Sequence, residues 1–202
     1  MKYDFEKELD AFVKKTLSAF RYEHTVSVVN ECKELAKIYP CDERSLVIAA
    51  YLHDITKETP FEKQLELVEE MNVHFPADSL ISPKTAHAFS APAFVKKYLK
   101  KYYSRKIADI IALHTTGSGG MTLEEKLLYL ADYIEPTRKF EDCVKVRRMF
   151  YSKKNKTEKH LDRVILRSLI ITVNSLIKEK RPVHSYTVDA YNSLLEDTEI
   201  IK

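Results

Sequence analysis

The sequence predicts an all-α bundle of about eight to ten helices. Three observations carry that expectation. Only three of the 202 residues are glycine, against roughly 7% in an average protein, and a sheet protein with many tight turns needs more. Apolar residues recur at helical spacing in one segment after another. Apolar residues make up 45% of the chain and charged residues 31%, which excludes both a disordered chain and a membrane span.

The elements follow in order. Phe5, Leu9, Phe12, Val13 and Leu17 predict an amphipathic helix over 4–19. A second runs from 22 to 39, with His24, Val28, Cys32 and Leu35 on one face, and Pro40 stops it. Asp42 caps a third over 43–56, whose middle, 46–52, is apolar all round and therefore central. A short helix at 61–71 follows Pro60, and 72–86 reads mostly as loop. Helices are expected at 87–102 and, with Ser104 as N-cap, at 105–114. All three glycines then fall in one loop, Thr115 to Gly120. Thr122 and Glu125 form a capping box for a helix at 123–135, ended by Pro136. Helices at 142–150, 158–180 and 185–197 complete the chain. No repeat, low-complexity tract or boundary interrupts it, so residues 1–202 are expected to form a single domain.

Net charge is +3 from 33 basic and 30 acidic side chains, too balanced for a nucleic-acid partner. Cys32, Cys41 and Cys143 show no Cys-x-x-Cys spacing and cannot pair fully, which suits reduced thiols in the cytoplasm. Residues 1–20 alternate charged and apolar side chains, unlike a signal peptide, and no later stretch is long enough to span a bilayer, so no membrane partner is expected. The basic run 153–156 lacks interleaved aromatics and reads as a solvated loop.

The ionisable residues are less ordinary. His53-Asp54 follows the most apolar helix, where a carboxylate is costly to desolvate. Alone, the doublet reads as a satisfied core histidine beside an aspartate turned to solvent. Four further residues change that. His24 and His114 lie on apolar faces, His87 opens a helix, and Asp132 stands where another leucine is expected. Together they would crowd a helical core with unpaired polar groups unless something binds them all. Imidazole and carboxylate suit iron, manganese or zinc, and the lack of thiolate spacing argues against structural zinc. Four histidines and two aspartates exceed one coordination sphere. They suit two metals sharing a bridging carboxylate, for which Asp54 is the natural choice.

The order His24, His53-Asp54, His87, His114, Asp132 resembles the two-metal HD superfamily of phosphohydrolases. Arg21-Tyr22-Glu23-His24-Thr25, Leu52-His53-Asp54-Ile55-Thr56-Lys57, His114-Thr115-Thr116-Gly117 and Ala131-Asp132-Tyr133-Ile134-Glu135-Pro136-Thr137-Arg138 resemble more closely its YqeK-like family. These are the bacterial symmetrical bis(5′-nucleosyl)-tetraphosphatases, hydrolases of diadenosine tetraphosphate. The late motifs Val183-His184-Ser185-Tyr186-Thr187 and Ala190-Tyr191-Asn192 extend the likeness along the chain. One departure is visible: the family usually has a small residue and a proline close behind the third histidine, and here a bulky Phe89 intervenes before Pro92.

The resemblance implies an HD-domain fold and a site of two divalent ions, iron first and manganese or another transition metal second. His24, His53, Asp54 and Asp132 would hold one ion, and Asp54, His87 and His114 the other. It implies attack on phosphate by a hydroxide shared between the ions. It also implies a small nucleotide as substrate, with homodimerisation left open. The polyphosphate needs cations that do not bind metal. Arg21 lies one turn before His24, Lys57 three residues after Asp54, and Arg138 just past Pro136. Asp54, Lys57 and Arg138 are the expected catalytic residues. Arg21, Lys57, Thr115, Thr116, Gly117 and Arg138 are expected to bind substrate. His74 sits in an irregular segment, His160 among lysines reads as solvated, and His184 reads as structural. Competing readings are an HD phosphohydrolase of another nucleotide, a di-iron oxygenase, and a nucleotide-binding regulatory module.

Overall fold

Side-chain caps start several of the helices where the sequence puts them. In the computed structural model, which describes residues 4–197, the α-helices are α1 (Phe5–Thr16), α2 (Ala19–Ile38), α3 (Glu43–Leu52), α4 (Phe61–Glu70), α5 (Asp78–Ile81), α6 (Ala86–Tyr98), α7 (Arg105–Leu113), α8 (Leu123–Ile134), α9 (Glu141–Ser152), α10 (Glu158–Lys178) and α11 (Ser185–Asp197). The Asp42 carboxylate accepts from the Ser45 N–H at 3.1 Å, and Ser104 Oγ accepts from the Ile107 N–H at 3.2 Å. Glu125 accepts from the Thr122 N–H at 2.7 Å, one arm of the expected capping box.

The all-apolar middle of α3 explains the layout. Every residue from Leu46 to Leu52 is buried, so the helix needs neighbours on all sides. It finds them in α1, α2, α7 and α8. Helices α9, α10 and α11 extend the bundle on the α8 side, and α4 packs on α6, which packs on α7. Phe150 of α9 is fully buried and meets Tyr39 and His160 ring to ring.

Four differences from the sequence reading have local causes. The described residues hold eleven α-helices rather than eight to ten, because the segment expected to be loop contains α5 and a 3-10 turn, Pro83–Thr85, that runs directly into α6. Beyond α6, residues Lys100–Tyr102 form a second 3-10 turn instead of continuing the helix. Helix α3 stops at Leu52 rather than at 56. The chain then tightens into successive i to i+3 bonds: Ile55 N–H to the Leu52 carbonyl (3.2 Å), Lys57 to Asp54 (2.9 Å) and Thr59 to Thr56 (3.0 Å). Finally, His160 is buried, with Nε2 3.1 Å from the Phe150 carbonyl. Its helix turns the ring inward while Lys153, Lys154 and Lys159 stay exposed.

A buried polar relay fixes the tight turn. The Thr56 hydroxyl lies 2.7 Å from Ser90 Oγ and 3.2 Å from the His87 carbonyl. Ser90 donates to Gln64 Oε1 at 2.9 Å, and the Gln64 amide donates to the Thr59 carbonyl at 2.7 Å. The 53–58 turn, α4 and α6 are thus tied together beside the histidines. Phe89 points away from them, stacked on His184 at 5.8 Å, and His184 Nε2 lies 3.1 Å from Ser79 Oγ. The departure at Phe89 is therefore absorbed by packing.

Phe150→Ala is expected to lower folding stability by about 3–5 kcal/mol, the usual cost of a buried phenylalanine. Urea unfolding checks it, with metal content measured on the same samples and expected to be unchanged.

Candidate metal centre

Helix ends place most of the donors. His24 projects from the second turn of α2, His87 from the first turn of α6, and Asp132 from the last turn of α8. His53 and His114 are the residues that follow α3 and α7. Each of these two bonds Nδ1 to a carbonyl three residues back, His53 to Ala50 at 2.8 Å and His114 to Ile111 at 2.6 Å. A carbonyl can only accept, so each Nδ1 carries the hydrogen and each Nε2 presents a lone pair to the centre. His24 is oriented by a different partner: its Nδ1 lies 3.1 Å from Glu135 Oε1.

Two groups of donors converge. His24, His53 and Asp54 bring one ligand atom each within 4.8 Å of one another, and Asp54, His87 and His114 do the same. Asp54 belongs to both. Its Oδ2 lies 3.7 Å from His24 Nε2 and 3.6 Å from His53 Nε2. Its Oδ1 lies 3.2 Å from His87 Nε2 and 3.5 Å from His114 Nε2. The carboxylate is 2% exposed, so the solvent-facing reading of Asp54 is excluded. His24 Nε2, His53 Nε2 and Asp54 Oδ1 are buried and make no hydrogen bond. Orphaned polar atoms at this depth are costly. Three of them aimed at one region, all of types that bind divalent cations, fit a metal site.

The charges agree. Burial pushes Asp54 up, but His53 and Lys57 outweigh it and hold the carboxyl well below its usual range. Burial pushes the His53 ring down to about 3 and the His87 ring down to about 4, so both stay neutral and able to ligate. His24 behaves oppositely. Burial lowers its pKa, but the Asp132 and Glu135 carboxylates beside it raise it to about 9.

Asp132 stands at the edge of the cluster. Its Oδ1 is 3.0 Å from His24 Nε2 and accepts from Arg138 Nη2 at 2.5 Å, while Arg138 Nε donates to the Asp132 carbonyl. The other two expected cations also arrive. Arg21 Nη1 donates to Asp54 Oδ2 at 2.7 Å, and Lys57 Nζ lies 2.8 Å from His87 Nε2. Thr115 Oγ1 is 3.0 Å from His114 Nε2 and 3.2 Å from His87 Nε2. Thr116 and Gly117 do not join them. The buried Thr116 hydroxyl donates to the Gly117 carbonyl. Gly117 has φ +66°, and a Cβ there would come to 3.1 Å from Ala190 Cβ, so its backbone shape and its packing on α11 both favour glycine.

Two residues outside the expected set shape the centre. Glu135 is fully buried and accepts from both the Thr137 N–H and hydroxyl at 2.6 Å while facing His24. It follows Asp132 by three residues on one helical face, a spacing that could have revealed it. Arg147 of α9 donates to the carbonyls of Ile134, Glu135 (2.5 Å) and Arg138 (2.8 Å). It caps the C-terminus of α8 and fixes the turn holding Glu135 and Arg138. No local pattern in the sequence marks it.

The HD domain family matches residues 21–137, more than half of the chain. The chain belongs to the HD-domain family. A Bacillus subtilis relative named symmetrical bis(5′-nucleosyl)-tetraphosphatase is 35% identical over 94% of this chain and 97% of its own length. A Halalkalibacterium halodurans relative of the same name is 32% identical, covering 91% of this chain and 93% of its own. Among solved structures, a Clostridium acetobutylicum protein described as a predicted HD superfamily hydrolase involved in NAD metabolism superposes with a TM-score of 0.85 at 26% identity. That match covers 95% of this chain and 97% of the other. The HD fold expected from the motifs is thereby established. Among the described residues no helix is long and apolar enough to cross a membrane.

Metal-reconstituted protein should hold two ions per chain by elemental analysis. Asp54→Ala should lose both, and His87→Ala should keep one. Because His24 must shed a proton before Nε2 can ligate, metal affinity should rise with pH between about 6.5 and 9. Glu135→Ala should weaken affinity about 10- to 100-fold, the usual effect of removing a partner that orients a ligand. Titration with a competing chelator at several pH values measures both.

Proposed function

We propose that this HD-family phosphohydrolase cleaves diadenosine tetraphosphate symmetrically into two ADP. The observation that carries the reading is a pair of buried donor triads sharing Asp54, flanked by three cations that suit phosphate rather than metal. The tetraphosphatase names of its relatives point to the same substrate.

Asp54, with His24 and His53 on one side and His87 and His114 on the other, would hold two divalent ions, with Asp132 completing the first sphere. Iron is the proposed native metal, and manganese is the next choice for this nitrogen and oxygen donor set. Bound there, such ions supply Lewis acidity and a water of lowered pKa. The remaining work falls to the chain. A cleft of about 780 Å³ opens over His24, with Arg21 and Arg138 in its walls. Arg138 spends Nε and Nη2 on Asp132, which aims the guanidinium and leaves Nη1 for a non-bridging phosphate oxygen. Arg21 brings a second planar fork to the same cleft. Lys57, against His87, places a point charge where the leaving ADP gathers negative charge. Thr115 offers a hydroxyl beside both His87 and His114. No serine or cysteine nucleophile is needed.

Anion-exchange chromatography of the products tests the reading. ADP alone is expected from metal-loaded protein, and ATP plus AMP would overturn symmetric cleavage. Arg138→Ala should slow single-turnover hydrolysis about a hundred- to a thousandfold, as loss of one transition-state donor does elsewhere. Arg138→Lys should recover part of that rate. Metal content is measured alongside, and a wild-type rate in the alanine variant would remove Arg138 from the site.

A further inference from the structure

The cleft over His24 has two aromatic walls that the bundle leaves uncovered. Phe20 and Phe140 are each 73% exposed, more than any other large hydrophobic side chain among the described residues. A single exposed phenylalanine is ordinary. These two share one cleft: both line the 780 Å³ cleft together with Arg21, His24, Arg138 and Lys139. Each is also tied in sequence to a cation of the site, Phe20 directly before Arg21 and Phe140 two residues after Arg138.

Their backbones are held firmly. Phe20 sits in the first turn of α2, where Ser18 accepts from the Arg21 N–H. Phe140 is the N-cap of α9, just beyond the turn that Arg147 clamps through three carbonyls. The Arg21 guanidinium lies 5.6 Å from the Phe20 ring centroid, close enough for a cation–π contact. Exposed π faces beside guanidinium groups suit a nucleotide. The charges take phosphate, and the ring stacks on the base. The lining also holds the carboxylates of Glu23 and Glu135, but the Arg21, Arg138 and Lys139 charges outnumber them, which suits a polyanion.

We propose that Phe20 and Phe140 form the stacking platform for one adenine base, placing the attached phosphates over the donor cluster. The proposal rests on the nucleotide reading above and adds a base subsite to it.

The probe is 1,N6-ethenoadenosine diphosphate, whose fluorescence is quenched on stacking, titrated into metal-loaded protein. Inorganic pyrophosphate binding is measured in parallel. Wild-type protein should quench the probe and prefer it over pyrophosphate. Phe20→Ala and Phe140→Ala should each shrink that preference about tenfold, the scale of one base–aromatic stack. Phe→Tyr at either position should restore it. Both side chains are exposed, and thermal melting verifies that the variants remain folded. An unchanged preference in both alanine variants overturns the proposal. So does a wild-type protein that fails to quench. A shift from dimer to monomer in sedimentation with probe affinity unchanged would instead make the pair a self-association surface. Turnover of diadenosine tetraphosphate by the wild type is scored separately. Stacking without turnover leaves the platform standing and removes the tetraphosphatase reading, and turnover without stacking does the reverse.

Discussion

The structure is organised around one buried carboxylate. Asp54 lies at the end of the most apolar helix in the chain, faces four imidazoles, and is almost wholly removed from water. An unpaired carboxylate at that depth would shift its pKa upward and neutralise. Here it is held ionised by groups from several elements: His53 and Lys57 on its own turn, Arg21 from α2, and the rings after α6 begins and α7 ends. The helices that pack on α3 bring these groups to one point, and together they compensate the charge. The same convergence assembles the two donor triads.

Around that charge stand residues that hold the donors in place, directly or through a neighbour, without being donors. Glu135 fixes the His24 ring. Arg147 fixes the turn that carries Glu135 and Arg138. Thr56, Ser90 and Gln64 fix the turn that carries Asp54 against the helix that carries His87. Glu135, Thr56, Ser90 and Gln64 are buried and Arg147 is half-buried, all with their partners in place, so the site is preorganised by satisfied hydrogen bonds rather than by packing alone.

Much of this was legible in the sequence, for physical reasons that can be named. The donors stood out because each broke an apolar helical pattern, as Asp132 does among leucines. Arg21, Lys57 and Thr115 stood out because they lie within one turn of a donor. Helix starts were visible at Asp42, Ser104 and Thr122 because capping is a local interaction. What stayed hidden was non-local. Arg147 acts through carbonyls nine to thirteen residues away, and no spacing rule announces that. The burial of His160 depends on where α9 lies. The packing of Gly117 was not legible either, because a glycine-rich loop beside a histidine looks the same in sequence whether it faces a ligand or, as Gly117 does, lies against α11.

The second partners of the histidines make the two halves of the centre unequal. His53 and His114 donate to peptide carbonyls, neutral dipoles that hold their strength across the working pH range. His24 instead faces a carboxylate. A charged acceptor draws the Nδ1 hydrogen more strongly and leaves Nε2 richer in electron density. The half built on His24 is therefore the more electron-donating one, and it is also the half that opens into the cleft. The centre has a built-in polarity, with one end tuned by a carboxylate and the other by backbone carbonyls.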